Sequence, residues 1–348
     1  MATRISDRRR VGATTLHLPV FGFGSAHIGE LYALVPEAES QATLQGAWDA
    51  GVRFYDTAPW YGRGLSEHRL GGFLRTMPRG EFQITTKVGR TLHRPKDPKT
   101  FDRAPWKGGL NFEVRFDYSR DGVMRSYEQA LQRLALDTVD ALVIHDLDAL
   151  IHGDQALVET YERQLIDGGG LSALQELKAA GDIQAYGMGL NTSEALMTTA
   201  QKVDLDFALV AMPYTLLDQS TLHTGMADFV RRGVGVIIGA PFASGILVTG
   251  SAAGAKYAYG NASPGIQAKV RGIEAVCAAH GVSLAAAALQ FVLAHPAVVS
   301  VIPGAARPSE IAANVGHIGR PIPGGFWSDL AAQGLIDPAS PVPNGAAA

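Results

Sequence analysis

Eight short apolar runs, separated by stretches of helical periodicity, predict an α/β chain folded as one (β/α)8 TIM barrel with an N-terminal hairpin and long βα loops. Three observations carry that expectation. The runs are spaced with room for a helix between most neighbours, as βα units require. Three of them end in an ionisable residue, and in a parallel barrel the carboxyl ends of the strands share one face. No shift in composition resembles an interdomain linker, so residues 1–348 read as a single domain.

In chain order, Arg8-Arg9-Arg10 reads as a solvated terminus, and Gly12 to Leu18, followed by Pro19, as a hairpin under the barrel floor. Strands are expected at 20–23, 52–55, 83–86, 139–144, 183–186, 207–211, 234–238 and 298–302. Val123, Tyr127, Ala130, Leu131 and Leu134 share one face of a helix before the fourth strand. Gly281 ends one helix, and Ser283 caps the next over 284–293. A plain barrel needs about 250 residues, and the excess has places to go. Residues 90–117 form a long insertion beside the third strand, read as a lid whose Trp106 reaches substrate. Residues 249–264, rich in Gly, Ala and Ser, follow the seventh strand. The tail from Arg320, with Pro321, Pro323, Pro338, Pro341 and Pro343, is expected to be irregular from about 335 and to end disordered.

Composition removes several classes of function. A hydrophobic share of 47% with 18% charged residues is that of a globular chain rather than a disordered one. The net charge of −3 leaves no electrostatic footprint for nucleic acid. Cys277 is the single cysteine, which excludes an intramolecular disulfide. No secretory h-region and no bilayer-length apolar run stands out, so a cytoplasmic protein without a membrane partner is expected. Nothing in the sequence sets an oligomeric state.

The chemistry gathers at strand ends. Val52-Arg53-Phe54-Tyr55 leads into Asp56-Thr57-Ala58-Pro59-Trp60-Tyr61-Gly62, the third run leads into Lys87, and the fourth into His145. A lysine there is costly to bury without an anion, and Asp56 is the natural partner. A phenol titrates near pKa ~10. A lysine cation at about 4 Å is worth roughly 4 kcal/mol at an effective dielectric of about 20. At about 1.4 kcal/mol per pKa unit, Lys87 could draw Tyr61 toward roughly 7, with burial opposing. Taken singly, each residue has a plain structural account: a buried ion pair, a satisfied core histidine. Together, in this order and at these positions, Asp56, Tyr61, Lys87 and His145 resemble the tetrad of the aldo-keto reductases.

The resemblance implies hydride transfer between the C4 of a nicotinamide and a carbonyl/alcohol carbon, without a metal. Tyr61 would be the acid/base, Asp56 would keep Lys87 charged, and His145 would orient the substrate oxygen. A Rossmann G-x-G-x-x-G is absent, and the family instead lays the dinucleotide across the barrel face. Carried over by position, the cofactor contacts are Gly24, Ser25, Asp56 and Asn191, then Pro241, Phe242, Gly245 and Leu247. At the adenosine end they are Ile302, Gly304, Arg307, Glu310 and Asn314. The sixth strand carries Met212-Pro213-Tyr214 where relatives have a carboxamide-binding Gln. NADP-preferring relatives place Lys, Ser and Arg where this chain has Gly304, Ala305 and Glu310. NAD is therefore expected, with NADP possible through Arg307.

Phe21 to Tyr32, Trp60 to Glu67 and Ile144-His145-Asp146 resemble the bacterial D-threo-aldose 1-dehydrogenase (L-fucose dehydrogenase) group, close to the pyridoxal 4-dehydrogenases. That resemblance implies oxidation of an anomeric hydroxyl of a free aldose to a lactone, or of the cyclic hemiacetal of pyridoxal. His27, Trp60, Tyr61, His145 and Trp106 are the expected substrate contacts, with Tyr32 and Phe242 nearby. Alternatives are a general aldehyde/ketone reductase and, in another class, a cofactor-sensing regulatory subunit.

Overall fold

The computed structural model describes residues 3–252, 254–258 and 260–343. Eight parallel strands run β1 (Phe23–Gly24), β2 (Phe54–Asp56), β3 (Gln83–Val88), β4 (Ala141–Ile144), β5 (Ala185–Leu190), β6 (Phe207–Val210), β7 (Gly235–Ile238) and β8 (Val298–Val301). Each is hydrogen-bonded to its neighbour in chain order. The sheet closes because Phe21 pairs with Val301 and Gly24 with Gly304, both parallel. Helices connect most of the strands. No single helix among the described residues is long and apolar enough to cross a membrane.

Register decides what the barrel presents. Asp56 pairs with Thr85, Lys87 with Val143, and Ala141 with Ala185. Side chains two apart on a strand share a face, so Phe54 and Asp56, Thr85 and Lys87, and Val143 and His145 lie on the same side. Phe54, Ala141, Val143, Ala185, Phe207 and Ile237 pack in one buried cluster, the barrel interior. The alternation that fills the interior with apolar groups thus sets Asp56, Lys87 and His145 at its upper rim.

The floor differs from expectation. The hairpin pairs Arg8–Arg10 with His17–Pro19, so the arginine cluster is its first strand rather than a free terminus. Arg9 reaches under the barrel and donates to the carbonyls of Leu293 and Val298, while Val11, Leu16 and Leu18 join the interior cluster. Arg8 and Arg10 remain exposed.

One strand limit is corrected, and two segments gain detail. β5 runs on to Leu190, and Gly187 sits inside it where a Cβ would lie 2.5 Å from the Phe207 carbonyl oxygen; this glycine marks close approach, not the end of a strand. The proline-bearing tail forms a helix at Gly324–Ala332, anchored by buried Phe326 and Trp327. Residues 333–343 are turns and irregular chain, and the extreme tail expected to be disordered lies outside the described residues. The stretch after the seventh strand contains a short antiparallel pair, Lys256–Tyr257 with Gly260–Asn261.

Candidate active site

Lys87 Nζ lies 2.6 Å from Asp56 Oδ2 and 2.9 Å from the Thr57 carbonyl oxygen, with both side chains only 2% exposed. Thr85 Oγ1 donates to the other Asp56 oxygen at 2.7 Å. Such a pair is tolerable in a low-dielectric interior because hydrogen bonds complete it. Tyr61 is carried over this pair by an unusual corner. Gly62, Arg63 and Gly64 are all left-handed, with φ of 61°, 53° and 97°, and the helix Leu65–Leu74 starts immediately after. Arg63 tolerates that strain because its guanidinium donates to the carbonyls of Ala104 and Phe112 at 3.1 and 3.2 Å.

The resulting geometry brings all four tetrad residues together. Lys87 Nζ stands 4.7 Å from the centre of the Tyr61 ring. His145 meets Tyr61 edge-on, 6.0 Å between ring centres at 85°. The electrostatics reverse one expectation. Burial first, then the Asp56 and Asp146 carboxylates, push the Tyr61 phenol well above its ordinary pKa, with Arg90 the group pulling it down. Lys87 does not draw it toward neutrality, because its hydrogen bonds go to Asp56 and Thr57 and its charge is matched by the carboxylate it touches. Burial likewise holds His145 far below the usual imidazole range, against the pull of Asp146.

Trp106 is 4% exposed and packs 5.5 Å from Trp60 and 6.0 Å from Tyr61, ring centre to ring centre. Its loop follows a second hairpin strand, Arg90–His93, paired with Glu113–Phe116. The Arg63 contacts hold it, as does Glu30, whose carboxylate accepts from Gly109 N at 3.0 Å. In this arrangement Trp106 forms a wall beside Trp60 and Tyr61.

The other expected contacts divide. Asn191 ends β5, and its amide nitrogen donates to Asp146 Oδ1 at 2.8 Å and Asp148 Oδ2 at 3.3 Å. His27 touches Tyr32, ring centres 5.5 Å apart, and a Cβ on Gly304 would fall 2.1 Å from its Nδ1. Ser25 is fully buried, and both its NH and its hydroxyl bond the Asp56 carbonyl, which ties β1 to β2 and leaves little for a cofactor. Leu247 buries its side chain in the core and gives its NH to Phe242 O, and Ile302 faces the barrel interior. Phe242 is half-buried against the core, beside buried Pro241. Arg307 pairs with Glu39 at 3.3 Å on the surface. Glu310 accepts from Ala306 N at 2.8 Å, and Asn314 is buried one turn further along the helix Pro308–Ile318.

Sequence reasoning missed Arg90 and Asp146. Asp146 Oδ2 lies 3.1 Å from His145 Nε2 and accepts from Arg90 at 2.7 Å, so a buried cation and a second carboxylate stand beside the tetrad. The one signal was adjacency, since Asp146 follows His145 directly.

The comparisons with known proteins agree with this arrangement. Residues 20–332 match the aldo/keto reductase family. The chain belongs to the aldo/keto reductases. It is 39% identical over 344 residues to a pyridoxal 4-dehydrogenase of Microbacterium luteolum, covering 97% of this chain and 100% of that one. It is 35% identical to a D-threo-aldose 1-dehydrogenase of Pseudomonas, covering 95% and 98%, and 30% identical to an L-galactose dehydrogenase of Arabidopsis thaliana, covering 90% and 88%. Among solved structures, an aldo-keto reductase of Bacillus halodurans in its holo form superposes with a TM-score of 0.70 at 23% identity, covering 96% and 97%, a likeness of fold.

Aldo/keto reductases use nicotinamide cofactors, and the residues at this rim fit one. His145 Nδ1, Trp106 Nε1 and His27 Nδ1 are buried polar atoms without partners, which buried groups rarely are without a ligand or water to meet them. In the loop after β7, Ala243, Ser244 and Gly245 turn with φ of 48°, 63° and 99°, and Gly24 and Gly304 bring bare backbone to the strand ends.

Proposed function

We propose that this aldo/keto reductase oxidises the anomeric hydroxyl of a free aldose, in its ring form, to the lactone. The observation that carries the reading is Tyr61, a half-buried phenol with His145 edge-on at 6.0 Å and Trp60 and Trp106 walling the same space. When bound, the nicotinamide accepts hydride at C4, the step for which the protein itself has no group. Tyr61 handles the hydroxyl proton, Lys87 and Asp56 hold the floor beneath it, and Asn191 stands ready for the carboxamide. The aromatic wall suits the apolar face of a sugar ring and excludes water from the reacting carbon. A second reading, oxidation of the cyclic hemiacetal of pyridoxal, is favoured by the likeness to the Microbacterium enzyme. Both give a lactone from a hemiacetal. Steady-state absorbance at the NADH band with a panel of aldoses and pyridoxal separates them. Turnover of neither sinks both, and leaves carbonyl reduction or cofactor sensing.

NAD is the proposed cofactor. Gly304 and Ala305 offer no cation, Glu310 adds a carboxylate, and Arg307 is engaged by Glu39. A 2′-phosphate would meet repulsion there. Glu310→Arg is expected to narrow the preference for NAD by roughly ten- to a hundredfold in relative kcat/KM, the worth of a charge-assisted contact of about 1.5–3 kcal/mol. Steady-state kinetics with both cofactors measure it, and a wild type that prefers NADP overturns the assignment.

A further inference from the structure

We propose that Glu30 is a positioning residue for substrate binding: its carboxylate clasps the turn that follows Trp106 and so holds the indole in place as a wall beside Tyr61. The substrate half of this rests on the function proposed above; the clasp does not.

The clasp joins two loops far apart in sequence. Glu30 follows the short turn His27–Gly29 after β1 and is left-handed, φ 69°, a conformation that non-glycine residues rarely hold. Its main-chain carbonyl accepts from Lys107 N at 2.9 Å, and carboxylate Oε2 accepts from Gly109 N at 3.0 Å. The other oxygen works within its own loop, where Oε1 accepts from Val35 N and Arg69 Nη2, both at 3.3 Å. Arg69 is itself buried and donates to the carbonyls of Ile28 and Val35 at 2.6 and 2.7 Å, which makes it a fixed post for the carboxylate. On the far side Gly108 leaves room for the carboxylate, since a Cβ there would overlap Oε2. Trp106 stands directly before this grip, with its indole against Trp60 and Tyr61. A wall of that kind binds ground state and transition state alike, so its displacement raises KM more than it lowers kcat.

Glutamine separates the two halves of the carboxylate. Its oxygen is drawn toward Arg69 and Val35, which both donate, and its amide group then sets a donor against Gly109 N–H. The post is kept and the grip is lost.

Two measurements on the intact enzyme test this. Trypsin cleavage after exposed Lys107 follows opening of the turn. Mapped by mass spectrometry, it is expected to be at least tenfold faster in Glu30→Gln, the worth of a hydrogen bond to a charged group. In aldose oxidation, Glu30→Gln is expected to raise the KM for the aldose at least tenfold, with kcat within about threefold of wild type and the KM for NAD unchanged. In a Trp106→Leu background the same substitution is expected to add nothing further to KM. Gly108→Ala crowds the carboxylate from the other side and is expected to reproduce both effects; it decides if the glutamine variant does not fold. A wild-type cleavage rate in the variant overturns the clasp. A KM that stays at the wild-type value, or that rises equally in the Trp106→Leu background, overturns the role in holding substrate. Absence of aldose turnover defeats the aldose reading instead, and pyridoxal takes its place in the same comparison. If neither turns over, both functional readings fall and the cleavage rate alone decides the clasp.

Discussion

Tyr61→Phe is expected to lower kcat by about a hundred- to ten-thousandfold, the usual worth of a positioned acid/base, with NAD affinity unchanged. The ring remains to pack on Trp106 and His145, and the lost group is the phenolic oxygen alone. Cofactor titration by fluorescence and steady-state kinetics separate the two effects, and a variant with wild-type kcat removes Tyr61 from the role. The pH profile of the wild type gives an independent sign. The phenol's pKa is raised well above its ordinary value of about 10, so the group is protonated at neutral pH. It must shed its proton before accepting one from substrate, so oxidation is expected to climb with pH through the alkaline range. In the reverse direction the protonated phenol is already the competent donor, and that activity holds at neutral pH and falls as the phenol ionises.

Lys87→Met is expected to cost both stability and rate. It leaves Asp56 buried at 1% exposure without its cation, and an unpaired buried charge costs about 3–5 kcal/mol. Urea denaturation reads that loss directly. The double variant Asp56→Asn/Lys87→Met removes both charges and is expected to recover most of the stability and little of the turnover. A double variant with wild-type kcat would mean that the pair only joins β2 to β3.

The tetrad was legible in sequence because a parallel barrel converts strand ends into one surface, and Asp56, Lys87 and His145 each end an apolar run. Eight strands were legible for the same reason. Strand limits were less so: Gly187 and Gly189 look like the end of β5, yet both sit inside it, Gly187 because Phe207 leaves no room there for a side chain. The tail prolines suggested irregular chain from about 335, and 333–343 are turns and irregular chain, while the helix Gly324–Ala332 just before it, anchored by Phe326 and Trp327, was not read from the sequence. The contact of His27 with Gly304 was not legible, because it depends on closure of the barrel between Gly24 and Gly304. The direction of the Tyr61 shift was hidden for an electrostatic reason. The sequence pairs Lys87 with Asp56, but the 2.6 Å contact that matches its charge, and the burial that outweighs it at Tyr61, exist only in three dimensions. Arg90 and Asp146 escaped in the same way, since their meeting depends on the second hairpin folding back beside β4.

The central claim is tested most directly with an aldose carrying deuterium at C1, incubated with the enzyme and NAD. The account predicts one deuterium at C4 of the reduced nicotinamide for each lactone formed, read by mass spectrometry and NMR. Reduced cofactor without deuterium, or no reduction by any aldose or by pyridoxal at enzyme concentrations approaching those of substrate, would contradict it.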